Sequence, residues 1–494
     1  MVREAGILPS AFGLLRKLPF IASQLAAEKS KATKDILSAR GAGAEKICVL
    51  PEAGTSVTTL LTAIQTRAGA DIKLEAGRSK VSGAVYIGSS EHKKMLDEVY
   101  MLYSLANPLH ADIFPSLRQM EAEVVSMTAS MLGGGPDGPS PSVCGAMTSG
   151  GSESILSAVK ASRDYMQAVK GVRKPEMIIA KSAHAAYWKA AEYFKIKLIV
   201  VPVGPDLRLS ASTVKRHMTR NTAVVVASAP GFPHGVIDHV ESIAKVARAA
   251  GVCLHVDACL GGFLLPFVRR LGYPVRPFDF SVPGVTSMSA DIHKFGMAHK
   301  GTSVVLYSSP EIRKHQYTSV TDWSGGLYIS PGMAGSRPGA LIATAWASMV
   351  HFGAEGYTRA AEGIMHAAVC FKEGLKDIPQ LQLMSEPEMS VVAFRATEPS
   401  RLNMYKLNDL MTQRGWHLNA LQSPPALHFC FAASHVDVAP LLLADLKSAL
   451  AQITADPGCV KGGSAPVYGL SNVSPDRGLV AEFLVAYQDV MLMP

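Results

Sequence analysis

Ser289-Ala290-Asp291-Ile292-His293-Lys294 follows directly on the apolar run Val285–Met288. A lysine at the end of a buried strand is out of place as ordinary surface charge, because buried lysines are rare unless they are paired or used. Outward from this stretch, short apolar runs alternate with amphipathic ones. Met177–Ala180, Lys197–Val203, Ala223–Ala229, Cys253–Asp257, Val285–Met288 and Ser303–Tyr307 read as buried strands. Ser154–Val169 and Val240–Ala250 read as helices between them, the first with Ile155, Val159, Met166 and Val169 near one face. Such alternation predicts an α/β fold with a mostly parallel sheet covered on both sides. Leu341–Phe352 and the run after Gly356 predict long helices leaving that domain, and Ser390–Arg395 and Leu427–Phe431 predict strands of a smaller C-terminal α/β domain. The expected organisation is a helical or extended segment over 1–104, with a helical run Glu91–Ser104, a large domain over 105–355 and a small one over 356–494.

Three further elements give Lys294 a chemical context. His255-Val256-Asp257-Ala258 closes the strand before it, and a carboxylate there is costly unless it meets a partner. Thr148-Ser149-Gly150-Gly151-Ser152-Glu153-Ser154 opens a helix; glycines admit an anion close to the backbone, and the free N–H groups of a helix start face it. An ordinary Ser-x-x-Glu cap is the other reading of these residues, and the glycine pair ahead of the helix favours the anion. Ser182-Ala183-His184 follows the strand Met177–Ala180, where a histidine ring can stack on a planar ligand. In chain order the set is anion loop, His, Asp, Lys. That order fits pyridoxal 5′-phosphate, which needs a lysine to hold its aldehyde as a Schiff base. It also needs a carboxylate to keep its ring nitrogen protonated.

Composition narrows the classes. Of 494 residues, 48% are hydrophobic and 18% charged, so the chain is globular rather than disordered. The net charge of +8 is mild over this length, and no basic block alternates with aromatics, so nucleic acid is not an expected partner. The seven cysteines (Cys48, Cys144, Cys253, Cys259, Cys370, Cys430, Cys459) form no C-x-x-C pair, which points to neither a disulfide framework nor a zinc site. No other metal-ligand spacing occurs. Cys259 reads as packing, Trp323, Trp346 and Trp416 as core or dimer contacts, and His315, His351 and His435 as structural. Ile7–Ala27 is apolar but broken by Pro9, Arg16, Lys17 and Pro19, so no membrane span is expected there. A segment lying on a membrane surface and a helix packed on the enzyme body or a partner subunit are both open.

Beyond these elements the chain resembles the sphingosine-1-phosphate lyases, a branch of the group II pyridoxal-phosphate decarboxylases. The resemblance runs from about residue 80 to 435. It is carried by Val81-Ser82-Gly83-Ala84-Val85-Tyr86, Asn107-Pro108-Leu109-His110-Ala111-Asp112 and Met120-Glu121-Ala122-Glu123-Val124-Val125. It continues in Ser228-Ala229-Pro230-Gly231-Phe232-Pro233-His234-Gly235, Val282-Pro283-Gly284-Val285-Thr286-Ser287 and Gly325-Gly326-Leu327-Tyr328. Ala334-Gly335-Ser336-Arg337-Pro338-Gly339 and Gly415-Trp416-His417-Leu418-Asn419-Ala420-Leu421-Gln422 complete it, with an echo at Pro475-Asp476-Arg477. Where the family commonly has Ala-Pro-Lys-Gly, this chain has Ala298-His299-Lys300-Gly301. Members anchored in a membrane carry a spanning segment ahead of the catalytic part, and Leu15-Arg16-Lys17-Leu18-Pro19-Phe20 looks like the stretch that follows such an anchor.

The resemblance implies the type I fold of pyridoxal-phosphate enzymes, with a seven-stranded sheet, and an intertwined homodimer. It implies Lys294 as the Schiff-base lysine, Asp257 as the partner of the ring nitrogen and His184 as the stacking residue. Ser149, Gly150, Gly151 and Ser152, with His293, would hold the cofactor phosphate, and Gly325 would touch the neighbour's cofactor. Tyr86, Asn107, His110, Ser336 and Lys300 would line the substrate-phosphate side. The implied reaction is a retro-aldol cleavage of a phosphorylated long-chain base to a long-chain aldehyde and phosphoethanolamine, on the cytosolic face of the endoplasmic reticulum or in the cytoplasm. Lys294, Lys300, Tyr86 or a phosphate oxygen could act as the base. The alternatives are an amino-acid decarboxylase on the same fold, which would share Lys294, Asp257 and His184, and a scaffold that has lost catalysis. The intact Lys, Asp, His and glycine set argues against the scaffold.

Overall fold

In a computed structural model, residues 47–69, 71–72, 78–460 and 477–492 are described. The sequence features at Ile7–Ala27 and residues 475–476 lie outside them. Seven strands form the main sheet: β1 Cys144–Thr148, β2 Glu176–Ala180, β3 Lys197–Val201, β4 Thr222–Ser228, β5 Cys253–Asp257, β6 Ser287–Ala290 and β7 Ser303–Tyr307. Their order is β1-β7-β6-β5-β4-β2-β3. β7 runs antiparallel to both its neighbours, and the remaining pairs are parallel. β2, β4 and β5 are buried along their whole length, as expected of parallel strands covered on both faces. Cys-Gly-Ala-Met-Thr, the sequence of β1, has no β-branched residue before Thr148, so only its pairing with β7 defines it.

The helix Gly151–Lys170 packs on this sheet and ends at Gly171 in the left-handed conformation. The two long helices expected around Phe352 and Gly356 form one element, Gly339–Leu375, broken at Gly353. There φ is +54° and ψ −175°, a conformation that glycine adopts without a Cβ penalty. Beyond it, β10 Leu381–Leu383, β11 Val391–Ala396, β12 Asn419–Leu421 and β13 Ala426–Cys430 make an antiparallel sheet in the order β10-β11-β13-β12. (β8 Thr318–Val320 and β9 Tyr328–Ser330 form a separate hairpin.) Trp416 is fully buried beside the smaller sheet, and its Nε1 donates to Asp445 Oδ2 at 2.7 Å.

Residues 79–104 belong to the same body. Ser82 Oγ accepts from Cys430 N and from Asn419 Nδ2, both at 2.8 Å, which fastens the approach to Tyr86 onto β12 and β13. The body comprises the described residues from 78 to 459, and a second unit holds the helices Val57–Ala68 and Arg477–Leu492. Ser56 caps the first of these by accepting from Thr59 N, and Val57, Leu60, Leu61 and Ile64 stand exposed along it. Among the described residues, no helix is long and apolar enough to cross a membrane.

Candidate active site

Thr148, Ser228, Asp257 and Ala290 end four of the sheet strands on one side, and His184 follows the end of β2. This is the edge of an open α/β sheet where ligands bind. A cavity of about 470 Å³ lies there. It is lined by nine of the residues expected from sequence: Tyr86, Ser149, Gly150, Gly151, Ser152, His184, Asp257, His293 and Lys294. Asp291 and Cys259 share the wall.

A chain of hydroxyls fixes the anion loop. Thr148 Oγ1 meets Ser154 Oγ at 2.6 Å, Ser154 Oγ meets Ser303 Oγ at 2.8 Å, and Ser303 Oγ donates to Ala290 O at 3.1 Å. These bonds tie the ends of β1, β6 and β7 to the start of the helix. The Ser-x-x-Glu cap does not form: Gly150 is the N-cap and no side chain caps it, while Ser149 donates from N (2.8 Å) and Oγ (2.6 Å) to Glu153 Oε2. The first-turn N–H groups of the helix at Gly151 and Ser152 remain for an anion. Glycine is required at 151 by close approach: a Cβ there would stand 2.8 Å from both Asp291 carboxylate oxygens and 2.9 Å from Cys259 Sγ. Gly151→Ala should therefore weaken cofactor binding by about tenfold or more, since overpacking costs about 1–3 kcal/mol. Fluorescence titration of the apoprotein with pyridoxal phosphate measures it, and unchanged affinity would show that the loop is not the phosphate cradle.

Asp257 is 8% exposed. Its Oδ1 accepts from Cys259 N at 3.1 Å and from Ser289 Oγ at 3.4 Å, which leaves Oδ2 to meet a ligand. Ser289 Oγ also lies 3.4 Å from His255 Nε2, and His255 Nδ1 lies 2.9 Å from Ser287 Oγ. Burial pushes the His255 imidazole down to about 4, so it stays neutral at the base of this chain. His184 Nδ1 accepts from Ala186 N at 3.1 Å, which holds its ring against the cavity. The geometry fits pyridoxal 5′-phosphate: a carboxylate oxygen for the ring nitrogen, a ring wall, an amine, and a helix start at a glycine where a side chain would clash.

Lys294 Nζ lies 2.9 Å from Asp291 Oδ2. Burial alone would lower the lysine; the adjacent Asp291 charge and hydrogen bond outweigh it and hold the ammonium well above its usual range. Lys300 carries an exposed side chain, yet its Nζ sits 5.0 Å over the Tyr86 ring and 3.4 Å from His293 O. Desolvation, then the charge on Lys294, lowers Lys300 to about 8. Burial, then Cys430 and Asp291, pushes Tyr86 well above the phenol range.

The remaining expected residues lie apart from this cavity in the single chain. Asn107 Nδ2 donates to Ser336 Oγ at 3.0 Å, and His110 and Gly325 are exposed. None of the four lines the cavity. His299, the departure from the family pattern, places Nε2 3.4 Å from Asp97 Oδ1. Sequence reasoning passed over Asp291, although it sits in the quoted hexapeptide three residues before Lys294. It also passed over the contact of Cys430 Sγ with the Tyr86 hydroxyl at 3.7 Å, which spans 344 residues and leaves no local signal.

Comparison with known proteins gives the family. The pyridoxal-dependent decarboxylase conserved domain matches residues 84–397. The sphingosine-1-phosphate lyase of Arabidopsis thaliana is 46% identical over 490 residues, covering 98% of this chain and 89% of that protein. Sphingosine-1-phosphate lyase 1 of Rattus norvegicus is 41% identical, covering 97% and 83%. The chain belongs to the sphingosine-1-phosphate lyases. A solved sphingosine-1-phosphate lyase of Burkholderia pseudomallei superposes with a TM-score of 0.82 at 36% identity, over 92% of this chain and 98% of that one. A glutamate decarboxylase of Lactobacillus brevis, at 19% identity and a TM-score of 0.71, shares the fold of these lyases. Membership of the sphingosine-1-phosphate lyases makes this a pyridoxal-phosphate lyase, with the sheet and cofactor expected from sequence.

Proposed function

We propose that this chain cleaves sphingosine 1-phosphate and related phosphorylated long-chain bases to a long-chain aldehyde and phosphoethanolamine, with Lys294 as the cofactor lysine and Lys300 as the base. The observation that carries the reading is the cavity at the strand ends, where Lys294 Nζ lies 2.9 Å from Asp291 Oδ2 and Lys300 Nζ sits 5.0 Å over the ring of Tyr86, which lines it. The Asp291 charge and hydrogen bond hold Lys294 as an ammonium, while desolvation and the Lys294 charge lower Lys300 to about 8. A glutamate-type decarboxylase would need a fork for a second carboxylate, such as a bidentate Arg, and among the described residues no arginine lines this cavity.

When bound, pyridoxal phosphate supplies an aldehyde for the substrate amine and a ring that takes up the electron pair of the breaking carbon–carbon bond. The chain's own residues do the rest. Gly150, Gly151, Ser152 and His293 would seat the cofactor phosphate, and His184 would cover the ring. Asp257 would keep the ring nitrogen protonated. Lys300 Nζ accepts the hydroxyl proton as the bond breaks, and Lys294 Nζ returns a proton to the carbon that remains attached to nitrogen. Tyr86, kept protonated by burial, donates from its hydroxyl and turns its ring toward the Lys300 ammonium as it forms.

Asp257→Asn should lower kcat by about 10²–10⁴-fold while the cofactor still binds, a loss of the size expected when proton control is removed from a reaction centre. Steady-state kinetics on the cofactor-saturated variant measures it. The functional reading itself is tested by supplying the holoenzyme with a phosphorylated long-chain base, its dephosphorylated form and an amino acid in turn. Aldehyde from the first alone supports it; carbon dioxide from the amino acid without aldehyde assigns the chain to decarboxylation.

Asn107, His110, Ser336 and Gly325 are assigned to the neighbouring cavity of a homodimer. The support is a set of exposed apolar residues around them: Leu105 (94% exposed), Leu327 (84%), Ile329 (65%) and Trp323 (56%). A peripheral membrane contact through Ile7–Ala27, at the cytosolic face of the endoplasmic reticulum or from the cytoplasm, is supported by its apolar sequence with Arg16 and Lys17 in the middle.

A further inference from the structure

Asp291 is 2% exposed, and its two oxygens have unequal surroundings. Oδ2 meets Lys294 Nζ at 2.9 Å; Oδ1 is buried without a hydrogen-bond partner among the described residues. A buried carboxylate oxygen without a partner is costly, so this carboxylate is held where it is by what it does for its neighbour. The spacing is local: Asp291 leaves β6 and Lys294 follows one turn later, with Lys294 N donating to Asp291 O at 3.4 Å. The absence of a side chain at Gly151 leaves room for both carboxylate oxygens. The pair therefore joins the strand end, the anion loop and the cofactor lysine.

We propose that Asp291 is a positioning residue that anchors the free amine of Lys294 as an ammonium at the cavity wall whenever that amine is not bonded to the cofactor. This rests on the reading of Lys294 as the cofactor lysine. Its consequence is a division of labour. Anchored in this way, Lys294 gives a proton and does not take one, so the hydroxyl proton must go to another group. The same anchor slows the first capture of the cofactor, because only a neutral amine attacks an aldehyde.

The charged and titratable groups facing the pair set the direction of its pH response. Lys300 and His293 stand on the same loop, with His293 Nε2 3.7 Å from Asp291 Oδ2. Cys259 and Asp257 come from the end of β5, and Tyr86 from the segment fastened to β13. Without the Asp291 charge, burial acts on Lys294 with weaker opposition from Cys259 and Asp257, so its amine becomes neutral at lower pH.

The test is the rate of pyridoxal phosphate capture by the apoprotein, followed by its visible absorbance across pH, for wild type, Asp291→Asn and Lys294→Ala. In wild type the rate should climb steadily into the alkaline range. In Asp291→Asn its midpoint should move down by about two pH units, within the 1–3 units that a close opposite charge contributes, and capture at pH 7 should be at least about tenfold faster. Coincident profiles for wild type and Asp291→Asn, with no capture by Lys294→Ala, would overturn the role of Asp291 alone. Undiminished capture by Lys294→Ala would overturn the underlying assignment. Should Asp291→Asn fail to fold, wild-type apoprotein carrying ¹³C-methylated lysines decides: the Lys294 resonance should titrate above the ordinary lysine value of about 10.4, and titration below it overturns the proposal.

Discussion

Lys294→Ala leaves a folded protein that neither develops the visible cofactor absorbance nor releases aldehyde, its turnover reduced by more than about 10⁴-fold, beyond what loss of a proton-transferring group alone costs. The effect is the largest expected in the molecule because the residue serves twice. On the proposed reading its amine holds the cofactor aldehyde and, as an ammonium 2.9 Å from Asp291 Oδ2, later returns a proton to the substrate carbon. Truncation to alanine removes a cation from a wall that keeps Asp257 and Asp291, so the variant should also bind the cofactor more weakly and without a covalent bond. Absorbance spectra, stopped-flow binding and aldehyde release are the readouts. Turnover retained within about tenfold would move the covalent role to another lysine, and Lys300 is the one within reach of the same cavity wall.

Lys300→Met should leave cofactor capture intact and lower kcat by about 10²–10⁴-fold, the range for a general base. The pH profile carries the sharper test. Lys300 is lowered to about 8 by desolvation and by the charge on Lys294. A base must be neutral to accept a proton, so wild-type kcat/KM should rise as pH rises through about 8 and flatten above it. In the variant that limb should vanish. If Lys300 served only as a cation for the substrate phosphate, the sign would reverse: activity would fall through the same range, and Lys300→Met would raise KM with kcat preserved. Methionine keeps the stem that packs along Tyr86, which separates loss of the amine from loss of packing.

The sequence carried the sheet because strands buried on both faces leave continuous apolar runs. Cys253–Asp257 and Ser303–Tyr307 were legible residue for residue. β1 was not, since Cys-Gly-Ala-Met-Thr becomes a strand only through its antiparallel partner. Lys294, Asp257, His184 and the Ser149–Ser152 loop were legible because each ends an element that periodicity can place, and strand ends in such a sheet converge. Their states were not. Nothing in Ser-Ala-Asp-Ile-His-Lys says that the aspartate would fold back onto the lysine, or that Lys300, six residues on, would lie over a tyrosine more than two hundred residues earlier in the chain. Those pairings shift two lysines of one loop in opposite directions, and they depend on burial and distance that only the fold supplies. The resemblance supplied Asn107, His110, Ser336 and Gly325, which no pattern within the chain marks and which the single chain keeps away from its own cavity.

The central claim is that one cavity at the strand ends holds pyridoxal phosphate on one named amine. Borohydride reduction of the holoenzyme, followed by peptide mass spectrometry, tests it most directly, because reduction fixes the cofactor to whichever nitrogen carries it. The account predicts the added mass on Lys294 alone, displaced when a phosphorylated long-chain base is present before reduction. Label on Lys300, on a lysine outside the cavity, or on none would contradict it.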